Sequence, residues 1–235
     1  MPKKGLKDID APSIEDLLVL TAHEMGTPLS IAIFQLENIF SKCKNCGEDF
    51  GIDFSIAKKS LYQLETVMKN ILHMRKCDLG TVHLVRRKTD LCLLLREASV
   101  EWDLLAREKK IKFVLQIEVQ RAYISLDKDL FCHVLENLFG NALKFTPTGG
   151  SIQMVLREGN GSFIFQCIDT GIGIPDKHKK SIFRKYSTGN NSKYHGLGLG
   201  LFFAKNIVDE HQWTLRVKDS LEGGSIFEIC IPMDD

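Results

Sequence analysis

The sequence has almost no net charge. Its 31 lysines and arginines are balanced by 30 aspartates and glutamates. A chain without an excess of one sign has no overall field to attract nucleic acid or an anionic membrane surface. We therefore expect no nucleic-acid partner, and other partners have to be inferred from individual sites.

The sequence also lacks a long apolar run. No segment approaches the roughly 20 consecutive apolar residues that a membrane-spanning helix needs, and MPKKGLKDIDAP at the start has no apolar core of a signal peptide. The seven cysteines are an odd number, and most lie among apolar neighbours, as reduced thiols do. We expect a cytoplasmic chain without disulfides or a membrane span, although a longer parent protein could be membrane-anchored.

The remaining composition is that of a globular protein, with 44% hydrophobic and 26% charged residues over 235 positions. The patterns below predict an α+β chain in four parts. These are an N-terminal segment at 1–12, a helical hairpin at 13–77, a linker with a first strand at 78–89, and an α/β domain at 90–235.

Two apolar seams with alternating spacings of three and four predict the helical hairpin. The first contains Leu18, Ala22, Met25, Leu29, Ala32, Leu36 and Ile39, and the second contains Phe54, Ala57, Leu61, Leu64, Met68 and Ile71. The polar stretch SKCKNCGEDFGID between them suits a turn that makes the helices antiparallel. Two helices cover such seams poorly, so a homodimer with a four-helix bundle is predicted.

A histidine lies outside the first seam, within the stretch HEMGTPLS. His23 shares a face with Thr27, and a lone surface histidine is more often solvated than functional. The neighbouring Glu24 favours a functional role for His23, because a carboxylate beside the imidazole can accept a ring proton and make the other ring nitrogen more nucleophilic. Gly26 and Pro28 weaken the helix beside it, so the segment can bend about the histidine.

The second part of the chain alternates strands and helices. We predict a strand or extended linker at 82–88, a helix from an Asp90 N-cap to about Lys109, and strands at 111–119 and 122–126. A second helix begins after Asp127 and carries a stripe of Asn137, Asn141 and Lys144. Such a stripe is either a solvated face or a site for a metal–phosphate unit, because amide oxygen suits Mg²⁺ and ammonium suits phosphate.

Glycine-rich stretches follow a predicted hairpin that turns at Asn160 and Gly161. Asp169 ends its second strand, and Gly171 and Gly173 let the backbone approach a planar ligand, although such a motif is often only a turn. Further on, the three glycines of GLGLGL open a helix whose N-terminal amides can hold phosphates. The polar segment 176–195 between these stretches reads as a mobile lid.

These motifs together resemble those of sensor histidine kinases. HEMGTPLS is similar to the phosphoacceptor box of that family, with Gly26 where arginine is common. ENLFGNALKFT, DTGIGIP, IFRKYS and GLGLGL resemble, in order, the asparagine, first glycine, phenylalanine and second glycine boxes. The ATP-binding domain with these boxes is shared with type II topoisomerases, the heat-shock chaperone of about ninety kilodaltons and mismatch-repair ATPases. A second departure is His211-Gln212-Trp213, where relatives often carry His-Gly-Gly.

The resemblance implies a fold and a set of site residues. The fold is a dimeric four-helix bundle followed by a Bergerat-type α/β sandwich with a mixed sheet, and the cofactors are ATP and Mg²⁺. The implied catalytic residues are His23 as phosphoacceptor, Glu24 as base and Thr27 for phosphatase activity, with Asn141 as the Mg²⁺ ligand. The implied nucleotide residues are Asn137, Lys144, Asp169, Gly171, Gly173, Lys185, Tyr186, Gly196, Leu197, Gly198, Leu199 and Gly200.

The implied activity is autophosphorylation of His23 and transfer to an aspartate of a response-regulator receiver domain. Two alternatives stay open, namely an ATP-binding dimeric scaffold without catalysis and a phosphotransfer protein without ATP use. Leu20, Ile31 and Phe34 are either a receiver-docking face or part of the bundle packing. The pair Cys43 and Cys46 is a redox or metal site shared across a dimer, or an ordinary turn.

Overall fold

The computed structural model describes residues 25, 29–34, 36, 37, 39, 61, 64, 68, 83–185, 187 and 198–233. The chain divides into two compact units, Met1–Gly80 and Thr81–Asp235. The described residues of the first unit are helical. His23, Glu24 and Thr27, together with Cys43 and Cys46, lie outside the described residues.

A small apolar cluster marks the described part of the first unit. Leu29, Ile33 and Met68 are buried, and Leu61 packs against them. Leu29, Leu61 and Met68 come from the predicted seams, whereas Ile33 does not. The predicted seam positions Met25, Ile39 and Leu64 are exposed in the single chain, so the homodimer that would cover them stays a prediction.

The second unit alternates strands and helices in the following order. It contains β1 (Arg87–Asp90), α1 (Leu91–Glu108), β2 (Lys112–Ile117), β3 (Tyr123–Leu126), α2 (Lys128–Phe145), β4 (Ser151–Gly159), β5 (Ser162–Asp169), α3 (Asp176–Lys179), α4 (Gly200–Glu210), β6 (Thr214–Asp219) and β7 (Ser225–Pro232). Of the two alternatives predicted for 82–88, the structure shows a linker over 83–86, and the first strand, β1, begins at Arg87. Its pairing with β3, from Arg87 opposite Leu126 to Asp90 opposite Tyr123, sets that start.

The main sheet is mixed, as predicted. Its five strands lie in the order β2-β4-β5-β7-β6. β2 and β4 are parallel, with Lys112 opposite Ser151, and the other neighbouring pairs are antiparallel. The β4–β5 hairpin turns at Asn160, which has a left-handed φ of 52°, and at Gly161, as predicted.

Two aspartates begin the long helices. The side chain of Asp90 accepts a hydrogen bond from the backbone N–H of Cys92, and that of Asp127 accepts one from Leu130, so each satisfies a free donor of a first turn. Both N-caps were predicted. Because α1 and α2 begin at these fixed points, the polar stripe of α2 has a defined position relative to the sheet.

The core lies between the helices and one face of the sheet. Trp102 of α1 stacks on Phe139 of α2 at 5.2 Å, and Phe113 of β2 meets both rings edge-on. The alternate residues Ile152, Met154 and Leu156 of β4 are fully buried in the same cluster. Aromatic pairs of this kind add to the burial of apolar area, which fixes α2 against the sheet.

The described residues agree with two expectations, which concern free cysteines and the lack of a membrane-spanning helix. Cys92, Cys132, Cys167 and Cys230 are free thiols. Burial raises the pKa of Cys167, so this thiol stays protonated at neutral pH. None of the described helices is both long and apolar enough to cross a bilayer.

Candidate nucleotide site

The polar stripe of α2 lies at the edge of the core. Asn137, Asn141 and Lys144 are each partly buried, whereas Leu138 and Ala142 on the inner face of the same helix are fully buried. A solvated face would be exposed. Spacings of four and three place the three polar side chains in one row along the helix. The structure therefore supports a site more than a solvated face.

Asn137 contacts the beginning of α4. Its Nδ2 donates to the carbonyl of His133 at 2.8 Å, which leaves Oδ1 directed elsewhere. A Cβ atom placed on Gly200 would lie 2.3 Å from that Oδ1, closer than any side chain allows. Asn137 and Gly200 are therefore in direct contact, and the asparagine stripe meets the N-terminus of the glycine-led helix.

The N-terminal end of α4 has the chemistry of an anion site. α4 begins at Gly200 without a side-chain cap, and no acidic residue lies in its first turn. Free backbone N–H groups and the helix dipole both favour negative charge at such an end. Gly198 has a left-handed φ of 65°, which glycine adopts without strain, and Leu199 is buried.

Asn141 fits the predicted metal-ligand role by its chemistry. Its amide makes no hydrogen bond to any of the described residues, so the side-chain oxygen is available. It lies one turn after Asn137 on the same face, and two amide oxygens suit a hard cation that keeps several waters. The donor set therefore fits Mg²⁺ bound together with phosphate oxygens.

Lys144 lies one turn further along α2. Burial lowers the pKa of its ammonium group from the ordinary lysine value. Its Nζ lies 5.2 Å from the ring centre of Phe145. A partly desolvated ammonium group interacts more strongly with an anion than an exposed one does.

Asp169 is the most buried carboxylate of the candidate site, with 4% exposure. Its Oδ1 accepts the backbone N–H groups of Gly171 at 2.8 Å and Ser225 at 3.3 Å. Its Oδ2 accepts no hydrogen bond from the described part of the chain. Burial raises the pKa of Asp169, and the two N–H donors lower it in part. The carboxylate is thus held in one orientation with a free oxygen for an amino group.

Close backbone contacts shape the loop after Asp169. A Cβ on Gly171 would lie 2.7 Å from the Phe145 carbonyl oxygen, and one on Gly224 would lie 2.1 Å from the Asp169 carbonyl oxygen. Gly173 has a left-handed φ of 69°. Packing against α2 therefore requires glycine at position 171, and the backbone conformation favours it at position 173.

The first part of the predicted lid is packed on the core. α3 is held by Lys179, which lies 2.6 Å from Asp176 and also bonds to Asp219 of β6. Further on, Phe183 meets Phe227 edge-on, and Nζ of Lys185 lies 5.3 Å from the ring centre of Phe202 in α4. Residues 176–185 are thus held against the core and form the base of the predicted lid. Tyr186, Gly196 and Leu197 lie outside the described residues.

The sequence interpretation missed two residues that shape the site. Ser225 positions Asp169 through its backbone N–H, and Gly224 makes the close approach just described. Their sequence signal is the pair of adjacent glycines, Gly223 and Gly224, directly before the apolar run of β7, and the structure gives both glycines a left-handed φ.

Comparison with known proteins agrees with this geometry. The family described as histidine kinase-, DNA gyrase B-, and HSP90-like ATPase matches residues 126–235. The chain is 30% identical over 224 residues to the sensor histidine kinase TmoS of Ectopseudomonas mendocina, covering 93% of this chain and 23% of TmoS. It is 26% identical over 226 residues to the adaptive-response sensory kinase SasA of Synechococcus sp., covering 92% of this chain and 59% of SasA.

The chain thus spans less than two thirds of the length of either relative. Among solved structures, full-length ShkA in complex with AMPPNP matches 93% of this chain and 46% of ShkA, with a TM-score of 0.70 and 23% identity. The catalytic domain of the histidine kinase ThkA matches 63% of this chain and 95% of that domain, with a TM-score of 0.57 and 26% identity. Residues 126–235 therefore match this ATPase family, and the second unit as a whole, with its mixed sheet, has the fold of histidine kinase catalytic domains.

Proposed function

We propose that this chain is an ATP-dependent protein histidine kinase of a two-component system. The observation that carries the proposal is the contact between Asn137 and Gly200, which joins the asparagine stripe to the N-terminus of α4. Polar amides, a lysine and free helix N–H groups then converge where a triphosphate would bind. Alignment with named sensor kinases over more than nine tenths of the chain supports the same function.

In this proposal the residues of the second unit bind and orient the nucleotide. The free oxygen of Asp169 accepts from the adenine amino group, while Lys144 and the N–H groups at 196–200 hold the phosphates. Asn141, supported by Asn137, holds Mg²⁺, which neutralises phosphate charge when bound. Lys185 and Tyr186 complete the nucleotide site from the phenylalanine box. Catalysis then rests on positioning and charge neutralisation.

The first unit supplies the acceptor. An imidazole nitrogen of His23 forms a bond to the γ-phosphorus, the bond from that phosphorus to the β–γ bridging oxygen breaks, and ADP leaves. Glu24 takes the ring proton. The phosphoryl group then passes from nitrogen to a carboxylate oxygen of an aspartate on a receiver domain. In a separate phosphatase reaction, Thr27 orients a water molecule that attacks the phosphoaspartate, which releases inorganic phosphate and restores the aspartate carboxylate.

The kinase is proposed to act as a homodimer. Met25, Ile39 and Leu64 expose 46%, 50% and 42% of their surface in the single chain, and a second copy would cover them. The exposed Ile31 and Phe34 are then left for a receiver, with Leu20 as a further candidate. Sedimentation of the purified chain as a monomer would contradict this part of the proposal.

One experiment separates the kinase from its two alternatives. Calorimetry first measures binding of ATP with Mg²⁺, and γ-labelled ATP then tests for transfer of label to the protein. A kinase binds ATP and becomes labelled, a scaffold binds ATP without labelling, and a phosphotransfer protein binds no ATP. Asn141→Ala, which removes the proposed metal ligand, should lose labelling while the unit stays folded by circular dichroism.

A further inference from the structure

The helices α2 and α4, which frame the candidate site, make a second contact where α2 begins and α4 ends. The backbone N–H of Asp127, just before α2, donates to Nε2 of His211, just after α4, at 3.0 Å. Both residues are buried, at 8% and 2% exposure. Asn137 and Gly200 lie about 15 Å from this contact, since ten or eleven helical residues rise 1.5 Å each. The site and this contact therefore lie at opposite ends of α4, and at the middle and the N-terminus of α2.

The contact fixes the tautomer of His211. Because Nε2 accepts from a backbone N–H, it carries no proton, and the ring proton lies on Nδ1. Nδ1 lies 2.8 Å from the carbonyl oxygen of Ile207 and donates to it. The ring also packs on Trp213 at 4.5 Å, and Trp213 meets Phe131 of α2 edge-on. His211 thus joins the C-terminal turn of α4 to the first turn of α2.

The irregular segment 83–86 is hydrogen-bonded to the same two helix ends. The N–H of Val85 donates to Oδ2 of Asp127 at 2.9 Å, while Oδ1 of that carboxylate caps α2. The guanidinium of Arg86 donates to the carbonyl of Glu210, the last residue of α4, at 2.9 Å. One carboxylate therefore binds both the helix and the segment at the start of the second unit. Val85, Arg86, Asp127 and His211 are called the latch below.

We propose that the latch couples docking of segment 83–86 to nucleotide binding between α2 and α4. Docking needs a fixed distance between the N-terminus of α2 and the C-terminus of α4, and the nucleotide needs a fixed distance between the middle of α2 and the N-terminus of α4. Two events that require the same arrangement stabilise each other, and the effect is reciprocal. The latch thereby makes the start of the catalytic unit sensitive to the nucleotide. This inference rests on the proposed function, because it assumes that the site binds ATP.

Amide hydrogen exchange tests the coupling without any substitution. The exchange of the Val85 N–H is measured in the full chain with and without saturating AMPPNP and Mg²⁺. The latch predicts that bound nucleotide slows this exchange about fivefold, the lower end of typical coupling between sites. Unchanged exchange at Val85, with AMPPNP bound, would overturn the latch and leave the proposed function intact.

A matched pair of variants tests the reverse direction. Arg86→Gln removes the bond to Glu210, whereas Arg87→Gln removes the same charge from the exposed neighbour in β1. The latch predicts a several-fold weaker AMPPNP affinity for Arg86→Gln by calorimetry and no change for Arg87→Gln. Equal affinities of the two variants would overturn the latch. Failure of the wild type to bind AMPPNP would overturn the proposed function and the latch with it.

Discussion

Ser225 donates its backbone N–H to Oδ1 of Asp169 across 56 residues of sequence. The bond joins the start of β7 to the end of β5 and, with the Gly171 N–H, occupies one oxygen of a buried carboxylate. The other oxygen, Oδ2, is thereby held in a fixed position as a hydrogen-bond acceptor. A site of this kind distinguishes an amino group, which donates, from a carbonyl, which does not.

Asp169→Asn should weaken ATP binding strongly. The amide keeps the shape, but one of its ends becomes a donor, so either the backbone N–H groups or the adenine amine loses its acceptor. We expect an affinity loss of at least about tenfold, corresponding to roughly 1.4 kcal/mol, measured by calorimetry. Unaltered affinity would show that Asp169 does not contact the base. Ser162→Ala, at the other end of the same strand, is the control for a general effect on β5.

Gly200→Ala should disrupt the site by steric conflict. The new methyl group would lie 2.3 Å from Oδ1 of Asn137, so the amide has to move and lose its bond to His133. We expect ATP affinity to fall about tenfold or more, because the phosphate end of the site is displaced. Gly140→Ala is the matched control, since no atom lies within 4 Å of its added Cβ.

The control variant, Gly140→Ala, should itself change the stability of the second unit. Gly140 lies within α2 and is exposed, so alanine should stabilise the unit by about 0.5–1 kcal/mol through helix propensity. Urea unfolding measures this change. A fall in ATP affinity for Gly140→Ala as large as for Gly200→Ala would contradict the steric account.

Thr146→Val should be neutral or stabilising. The Thr146 hydroxyl is the buried side-chain polar atom without a hydrogen-bond partner among the described residues, and valine has nearly the same shape. Removing a polar atom with no partner relieves a desolvation cost of about 1–3 kcal/mol. Denaturant unfolding gives the sign. A clear loss of stability would mean that a buried water satisfies the hydroxyl.

Acidification should destabilise the second unit through His211. Burial lowers the pKa of His211 below its ordinary value of 6.5, although Asp127 and Glu210 act against this and Arg86 acts with it. The unfolded chain therefore binds more protons, and this contribution to stability is complete above pH 6.5 and is lost as pH falls through the lowered pKa. For one proton, the free energy of unfolding changes by at most about 1.4 kcal/mol per pH unit.

The variant His211→Gln isolates this effect. Urea unfolding of wild type and variant between pH 7.5 and 5.5 should give curves that converge toward the lower pH. Burial raises the pKa of Asp169, which favours protonation in the folded state and so opposes acid destabilisation, equally in both proteins. Parallel curves would exclude His211 as the titrating group. His83→Gln, at an exposed position, controls for loss of a histidine.

Local patterns predicted most of the second unit. The row of Asn137, Asn141 and Lys144 follows from helical spacing, and the caps at Asp90 and Asp127 follow from the chemistry of a first turn. Contacts that join distant segments were not predictable from one sequence. Asp127 and His211 are 84 residues apart, and Ser225 is 56 residues from Asp169. Their meeting depends on the strand order, which no local pattern encodes.

The central claim is that His23 receives the γ-phosphoryl group of ATP. Wild type and His23→Gln are incubated with γ-labelled ATP and Mg²⁺, and any protein-bound label is tested for stability in acid and base. The account predicts label on the wild type alone, lost in acid and retained in base, as expected for a phosphorus–nitrogen bond. Equal labelling of His23→Gln, or no labelling of a wild type that binds ATP, would contradict it.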